Sequence, residues 1–163
     1  MNAFKIKHRI LILAVITNVV IFIVLSLFHL YWAAGGVRWI NDVLPTSSNG
    51  LRRMNPPTAS TIMVAIALLI FAFVTTGNVG LYDKYVKRNY FRYGILAIGL
   101  LFLLRAIGDF KFIGFFKTVR ATRFALNDTN LFSPLCLFIS ILCLLIFRLN
   151  PPTPSPLSTS TAR

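Results

Sequence analysis

The chain has 163 residues, of which 56% are hydrophobic and only 13% charged. A soluble domain of this size has about a quarter of its residues charged, so the composition excludes an ordinary aqueous globule and points to a single membrane domain. The net charge of +13 leaves room for only four acids, Asp42, Asp83, Asp109 and Asp128. The basic residues fall between and beside apolar runs, which reads as headgroup anchoring and not as a nucleic-acid patch.

The first apolar run covers residues 10–34, behind Lys5, Lys7 and Arg9. It is longer than the roughly 7–15 residues of a cleavable leader, and no A-x-A site follows, so a retained helix is expected. Gly35-Gly36 ends it, the usual place for glycine. A polar loop follows at 37–57, broken by Pro45, Ser47, Ser48, Asn49, Gly50, Pro56 and Pro57. The second run is 58–81 and the third 91–110, joined by a short turn with Lys84, Lys87 and Arg88. Between the third run and the fourth (129–149), residues 111–127 mix Phe112, Phe115, Phe116 and Phe124 with Lys117, Arg120 and Arg123. That mixture suits a short interfacial helix on the membrane surface; a longer third helix with a polar end is the alternative. Each run approaches the roughly 20 residues needed to span the hydrocarbon.

The fold class is therefore all-α, a four-transmembrane-helix bundle over 1–149, with a Pro/Ser/Thr-rich tail at 150–163 expected to be disordered. Helical projection gives each span one small or polar face: Asn18, Phe22, Leu25, His29 and Gly36, beside Ser26; Thr61, Ala65, Ala72, Thr76 and Gly80; Gly94, Ile98, Leu101, Arg105 and Gly108, beside Asp109; Cys136, Ser140, Cys143 and Phe147. Such faces pack membrane helices together. They would serve a bundle of one chain or contacts between copies equally well, so periodicity leaves the oligomeric state open.

With the N-terminus inside, the cytoplasmic side holds Lys5, Lys7, Arg9, Lys84, Lys87, Arg88, Arg92, Arg148 and Arg163. The other side holds Arg38, Arg52, Arg53, Lys111, Lys117, Arg120 and Arg123. Close to the ends of the first three helices the bias favours both termini in the cytoplasm. Four crossings then gather His29, Trp32, Arg105, Asp109, Arg123 and Asp128 at the extracytoplasmic end, and these six are the candidate ligand-binding residues.

Arg105 and Asp109 are four apart, so an i,i+4 pair is expected, with Asp128 as a rival partner for Arg105. Two readings stay open: a structural ion pair with Arg105 snorkelling outward, or an anion site at Arg105 with His29 or an aspartate handling a proton. His29, near Tyr31 and Trp32, also suits an interfacial aromatic belt. Asp128 reads as the N-cap of the fourth helix. Ser133-Pro134 offers a later start, but a helix beginning there would be about 24 Å long, short of the roughly 30 Å core. Cys136 and Cys143 would lie about 10 Å apart along one helix, beyond the roughly 7 Å limit for a disulfide. No metal ligand spacing and no cofactor motif occurs.

Several strings carry a family resemblance. They are His29-Leu30-Tyr31-Trp32-Ala33-Ala34-Gly35-Gly36, Pro45, Arg105-Ala106-Ile107-Gly108-Asp109-Phe110, Thr122-Arg123-Phe124-Ala125, and Asp128-Thr129 followed by Ser133-Pro134-Leu135-Cys136. The chain resembles a bacterial family of small integral membrane proteins catalogued as a domain of unknown function. The resemblance implies four helices in a bacterial inner membrane and brings no activity with it.

The leading functional expectation is a non-enzymatic membrane protein whose extracytoplasmic site binds a lipid headgroup, a small anion or a partner membrane protein. The first alternative is a membrane-embedded enzyme acting on a lipid or quinone-like substrate, with His29 and Asp109 or Asp128 as acid and base. The second is a small transporter, for which the inner halves of the spans offer little beyond Asn18, Thr75, Thr76 and Asn78.

Overall fold

The computed structural model describes residues 3–44, 56–120 and 122–150, with side chains of 3, 4 and 41 set aside. The stretch 45–55 and the tail from 151 onward lie outside the described residues, and with them Pro45 and most of the breakers of the long loop. Six helices follow in order: α1 (Ala3–Ala33), α2 (Ile40–Val43), α3 (Thr58–Thr76), α4 (Arg88–Ile107), α5 (Arg123–Asn127) and α6 (Ser133–Leu149). No strand occurs among the described residues.

Four helical stretches are long and apolar enough to cross a membrane: Lys5–Ala33, Thr58–Val79, Arg88–Ile107 and Arg123–Leu149. The protein is a multi-pass membrane protein. α1 packs most extensively on α3, and α4 on α6, with α1 also against α6. We call the end where α1 finishes the distal end and the end where it begins the proximal end.

The core lies where the small faces meet. Phe22 of α1 is fully buried and packs edge-on to Phe71 at 5.8 Å and against Phe102 at 5.6 Å. Ala65, Leu68 and Ala72 bring α3 close to α1, and Ser26 Oγ donates to the Ala65 carbonyl at 2.9 Å. Deeper in the bundle, Asn18 Nδ2 donates to Thr75 Oγ1 at 3.3 Å and to Cys143 Sγ at 3.5 Å, tying three helices together. In hydrocarbon such polar contacts hold helices because no water competes for them. The expected faces of α1 and α6 are largely those buried. On α4 the face is turned: Ile95, Ile98, Gly99 and Ala106 are buried, while Leu101 is 52% exposed. Gly99 explains the turn, since a Cβ there would meet the Cys143 Cβ of α6 at 2.9 Å. On α3, Thr75 and not Thr76 is the fully buried threonine.

Two helix boundaries differ from expectation in ways that move site residues. α4 ends at Ile107, one turn early, because Gly108 adopts φ 92°, ψ −171°, a conformation closed to other residues. A Cβ on Gly108 would also run into the Ile113 backbone. Asp109 therefore leaves the helix.

The last span starts at Arg123, capped by Thr122 Oγ1 accepting from the Ala125 N–H at 3.1 Å. Asp128 is thus not an N-cap; it sits a turn inside the helix. Residues Asp128–Phe132 form a π turn, in which the Ser133 N–H reaches back to the Asp128 carbonyl. The proline ring of Pro134 crowds the carbonyl four residues earlier and offers no N–H, and a widened turn just before it relieves both problems. Residues 108–120 form turns and bends, so among the described residues no separate interfacial helix lies between α4 and the last span, which the five-residue α5 opens.

The proximal end closes with amides. Asn150, read from sequence as the first tail residue, is fully buried, and its Nδ2 donates to Asn78 Oδ1 at 2.8 Å. Asn78 Nδ2 donates to the Val74 and Phe91 carbonyls. Arg92 Nε donates to the Asn150 carbonyl at 2.8 Å, and its guanidinium lies 3.9 Å from the Phe147 ring centroid.

Candidate functional site

The six candidate residues all fall at the distal end, but the structure divides them into three environments. Arg105 sits in the last turn of α4, and its Nη2 donates to Asp128 Oδ1 at 2.8 Å. The expected pair with Asp109 is not made; the partner is the rival, Asp128. Lys117, in the loop after α4, reaches the other carboxylate oxygen at 2.9 Å. That oxygen also accepts from the Gly114 N–H at 2.7 Å and Ser133 Oγ at 3.2 Å. Lys117 Nζ completes its shell on Thr129 Oγ1 at 2.7 Å and the Gly114 carbonyl at 3.1 Å. Asp128 is 0% and Lys117 2% exposed. Buried charges survive only when paired and hydrogen-bonded, and Asp128 and Lys117 meet that condition, whereas Arg105 Nη1 is buried without a partner among the described residues; the cluster staples the loop onto α4 and the start of the last span.

Asp109 organises that loop from outside. Its Oδ1 accepts from the N–H groups of Lys111, Phe112 and Ile113 at 2.7–2.9 Å. Desolvation alone would raise its carboxyl, but those backbone donors together outweigh it and hold the carboxyl below the usual 3.8.

The remaining three residues, His29, Trp32 and Arg123, line an open-sided cavity of about 770 Å³ between α1 and the α5–α6 span. Its deep walls are Val24, Leu25 and Phe28 on one side and Leu131, Phe132 and Leu135 on the other. Its rim carries His29, Trp32, Trp39, Asp42, Arg123 and Asn127. Asn127 Nδ2 donates to the Asp42 carbonyl at 3.3 Å, fixing α2 across the mouth. Phe28 stacks on Trp32 at 5.9 Å and meets Trp39 edge-on at 5.8 Å. Trp32 Nε1 donates to the Arg38 carbonyl at 3.0 Å. His29 Nδ1 lies 2.8 Å from the Leu25 carbonyl, which only accepts, so Nδ1 carries the proton, and in the neutral ring Nε2 is the acceptor.

Trp39 and Asp42 were not among the sequence candidates. They lie in a polar connection with no periodicity, and only the fold brings them over the cavity. Lys117 was missed for another reason: a lysine among phenylalanines reads as an interfacial anchor. The acid–base pairing of His29 with Asp109 or Asp128 is not assembled, since neither aspartate lines the cavity; the carboxylate that shares the cavity with His29 is Asp42. Among the described residues no group of three His, Cys or Asp side chains is placed to hold a metal.

A family profile described as "Protein of unknown function (DUF3995)" matches residues 22–143. No curated protein and no solved structure matches the chain.

Proposed function

The chain belongs to this DUF3995 family, and from that premise we propose that it is a non-enzymatic lipid-binding protein whose distal groove takes a membrane lipid by its headgroup. One observation carries the reading. The cavity is walled by apolar side chains in its membrane-embedded part and polar only at its mouth, the division an amphipathic molecule requires. Acyl chain would lie along Leu25, Phe28, Leu131 and Leu135, and the headgroup would meet Arg123, His29 and Asn127. Arg105, Lys117 and Asp128 contribute by fixing the helix on which Arg123 and Asn127 stand.

The distal end is the extracytoplasmic face of a bacterial inner membrane in this proposal, because Lys5, Lys7, Arg9, Lys84 and Lys87 crowd the proximal end. A reporter fused after Arg163 then reads cytoplasmic; an external signal reverses the sidedness.

Native mass spectrometry of the protein extracted in mild detergent tests the binding. One phospholipid retained per chain is the expected result, lost in Leu135→Trp, which fills the groove. Protein free of lipid in both forms overturns the reading.

A further inference from the structure

The groove carries a more specific signal in its two formal charges. Asp42 and Arg123 both line it. Among the described residues neither side chain has an ion-pair or hydrogen-bond partner, and they do not pair with each other. The α2 turn is held by the Asp42 and Val43 N–H groups on the Trp39 carbonyl, at 2.8 and 3.1 Å, and Asn127, one turn along the helix of Arg123, donates to the Asp42 carbonyl. Opposite charges that line one cavity without meeting are best answered by a molecule that carries both signs. Resting on the lipid-binding reading above, we propose that the groove selects a zwitterionic phospholipid with a primary ammonium in its headgroup, a phosphoethanolamine-type lipid.

The charged groups divide the work. Arg123 takes the phosphodiester, whose oxygens suit a guanidinium fork. The aromatic part of the rim with Asp42 suits the ammonium. Asp42 supplies the counter-charge, and Phe28, Trp32 and Trp39 supply aromatic rings that attract a cation. His29 Nε2 offers a lone pair, which a primary ammonium N–H can meet and a quaternary ammonium cannot.

Trp39 adds an independent sign. It is 56% exposed at the rim and holds φ 61°, a left-handed conformation that costs a tryptophan energy. Backbone strain of this kind gathers at ligand clamps, and here it aims the first residue of the Asp42 turn over the cavity.

The test uses the full chain in detergent micelles with two added lipids of matched acyl chains, phosphatidylethanolamine and phosphatidylglycerol. Both have the phosphodiester; only the first has the ammonium. Native mass spectrometry counts bound lipid. Acyl-brominated versions give a second readout, because both tryptophans of the chain, Trp32 and Trp39, line the groove and are quenched on occupancy.

The expected result is about tenfold preference for the ethanolamine lipid. Asp42→Asn lowers that binding about tenfold and raises binding of the glycerol lipid. Arg123→Gln weakens both. Equal binding of the two lipids by the wild type, or preference for the glycerol lipid, overturns this inference while leaving lipid binding intact. Absence of binding and quenching with both lipids overturns the lipid reading itself. The wild-type comparison decides the point even if a variant fails to fold.

Discussion

Two groups of charged residues sit at the same end of this bundle, and they differ in how their charges are answered. In the Arg105–Lys117–Asp128 cluster the aspartate is wrapped by four donors and buried completely. In the groove, Asp42 and Arg123 line a cavity and have no side-chain partner among the described residues. The first arrangement is what a fold needs to hold ions in a low-dielectric place. The second leaves interaction capacity unspent, which is what a binding site keeps. The conspicuous arginine of the third span is thus taken up by the fold, and the inconspicuous aspartate of α2 is left to the proposed site.

The largest expected effect breaks the first group. Asp128→Asn leaves Lys117 charged, buried and without a counter-ion, and should cost about 3–5 kcal/mol. A thermal melt in detergent should drop sharply, and adding Lys117→Met should recover part of the loss. A melt unchanged by Asp128→Asn would mean the cluster is not what holds the loop.

Next comes the backbone that supports it. Gly108→Ala combines a forbidden φ/ψ with a collision at Ile113, for a cost of about 1–3 kcal/mol. The same melt measures it.

A smaller effect belongs to Asp109. Its folded-state pKa is depressed, so its contribution is complete above the ordinary 3.8 and disappears as pH falls through the lower folded value. Amide resonances of Lys111, Phe112 and Ile113 should titrate only in that acid range. Titration above it would show that the three N–H bonds are not made in solution.

The smallest effect on stability is expected in the groove. Arg123→Gln and Asp42→Asn should each shift the melt by no more than about 0.5 kcal/mol, as for charges at a surface without partners among the described residues, while lipid retention falls. If these variants unfold the protein, the contrast between the two groups collapses.

Much of the architecture was legible. Four apolar runs gave four spans, Gly35 ended α1 at φ 91°, and the small faces around Phe22, Ala65, Ala72, Ser140 and Cys143 became the packed core. The site was only partly legible. His29, Trp32 and Arg123 do share one cavity, but Arg105 and Asp128 stand outside it, and Asp109 belongs to a loop. Spacing favoured Asp109 as the partner of Arg105 because a continuing helix brings i and i+4 together. One glycine ended the helix between them, and a residue 23 positions away took the place.

Composition and periodicity alone settled that this chain lives in lipid as four helices, because a bilayer leaves a polypeptide few ways to satisfy its backbone. Which charge meets which was decided only by the tertiary structure. Pairing depends on where each helix stops and how the loops return, and those are set by contacts such as Gly108 against Ile113 and Asn127 against Asp42, between residues that no local pattern links.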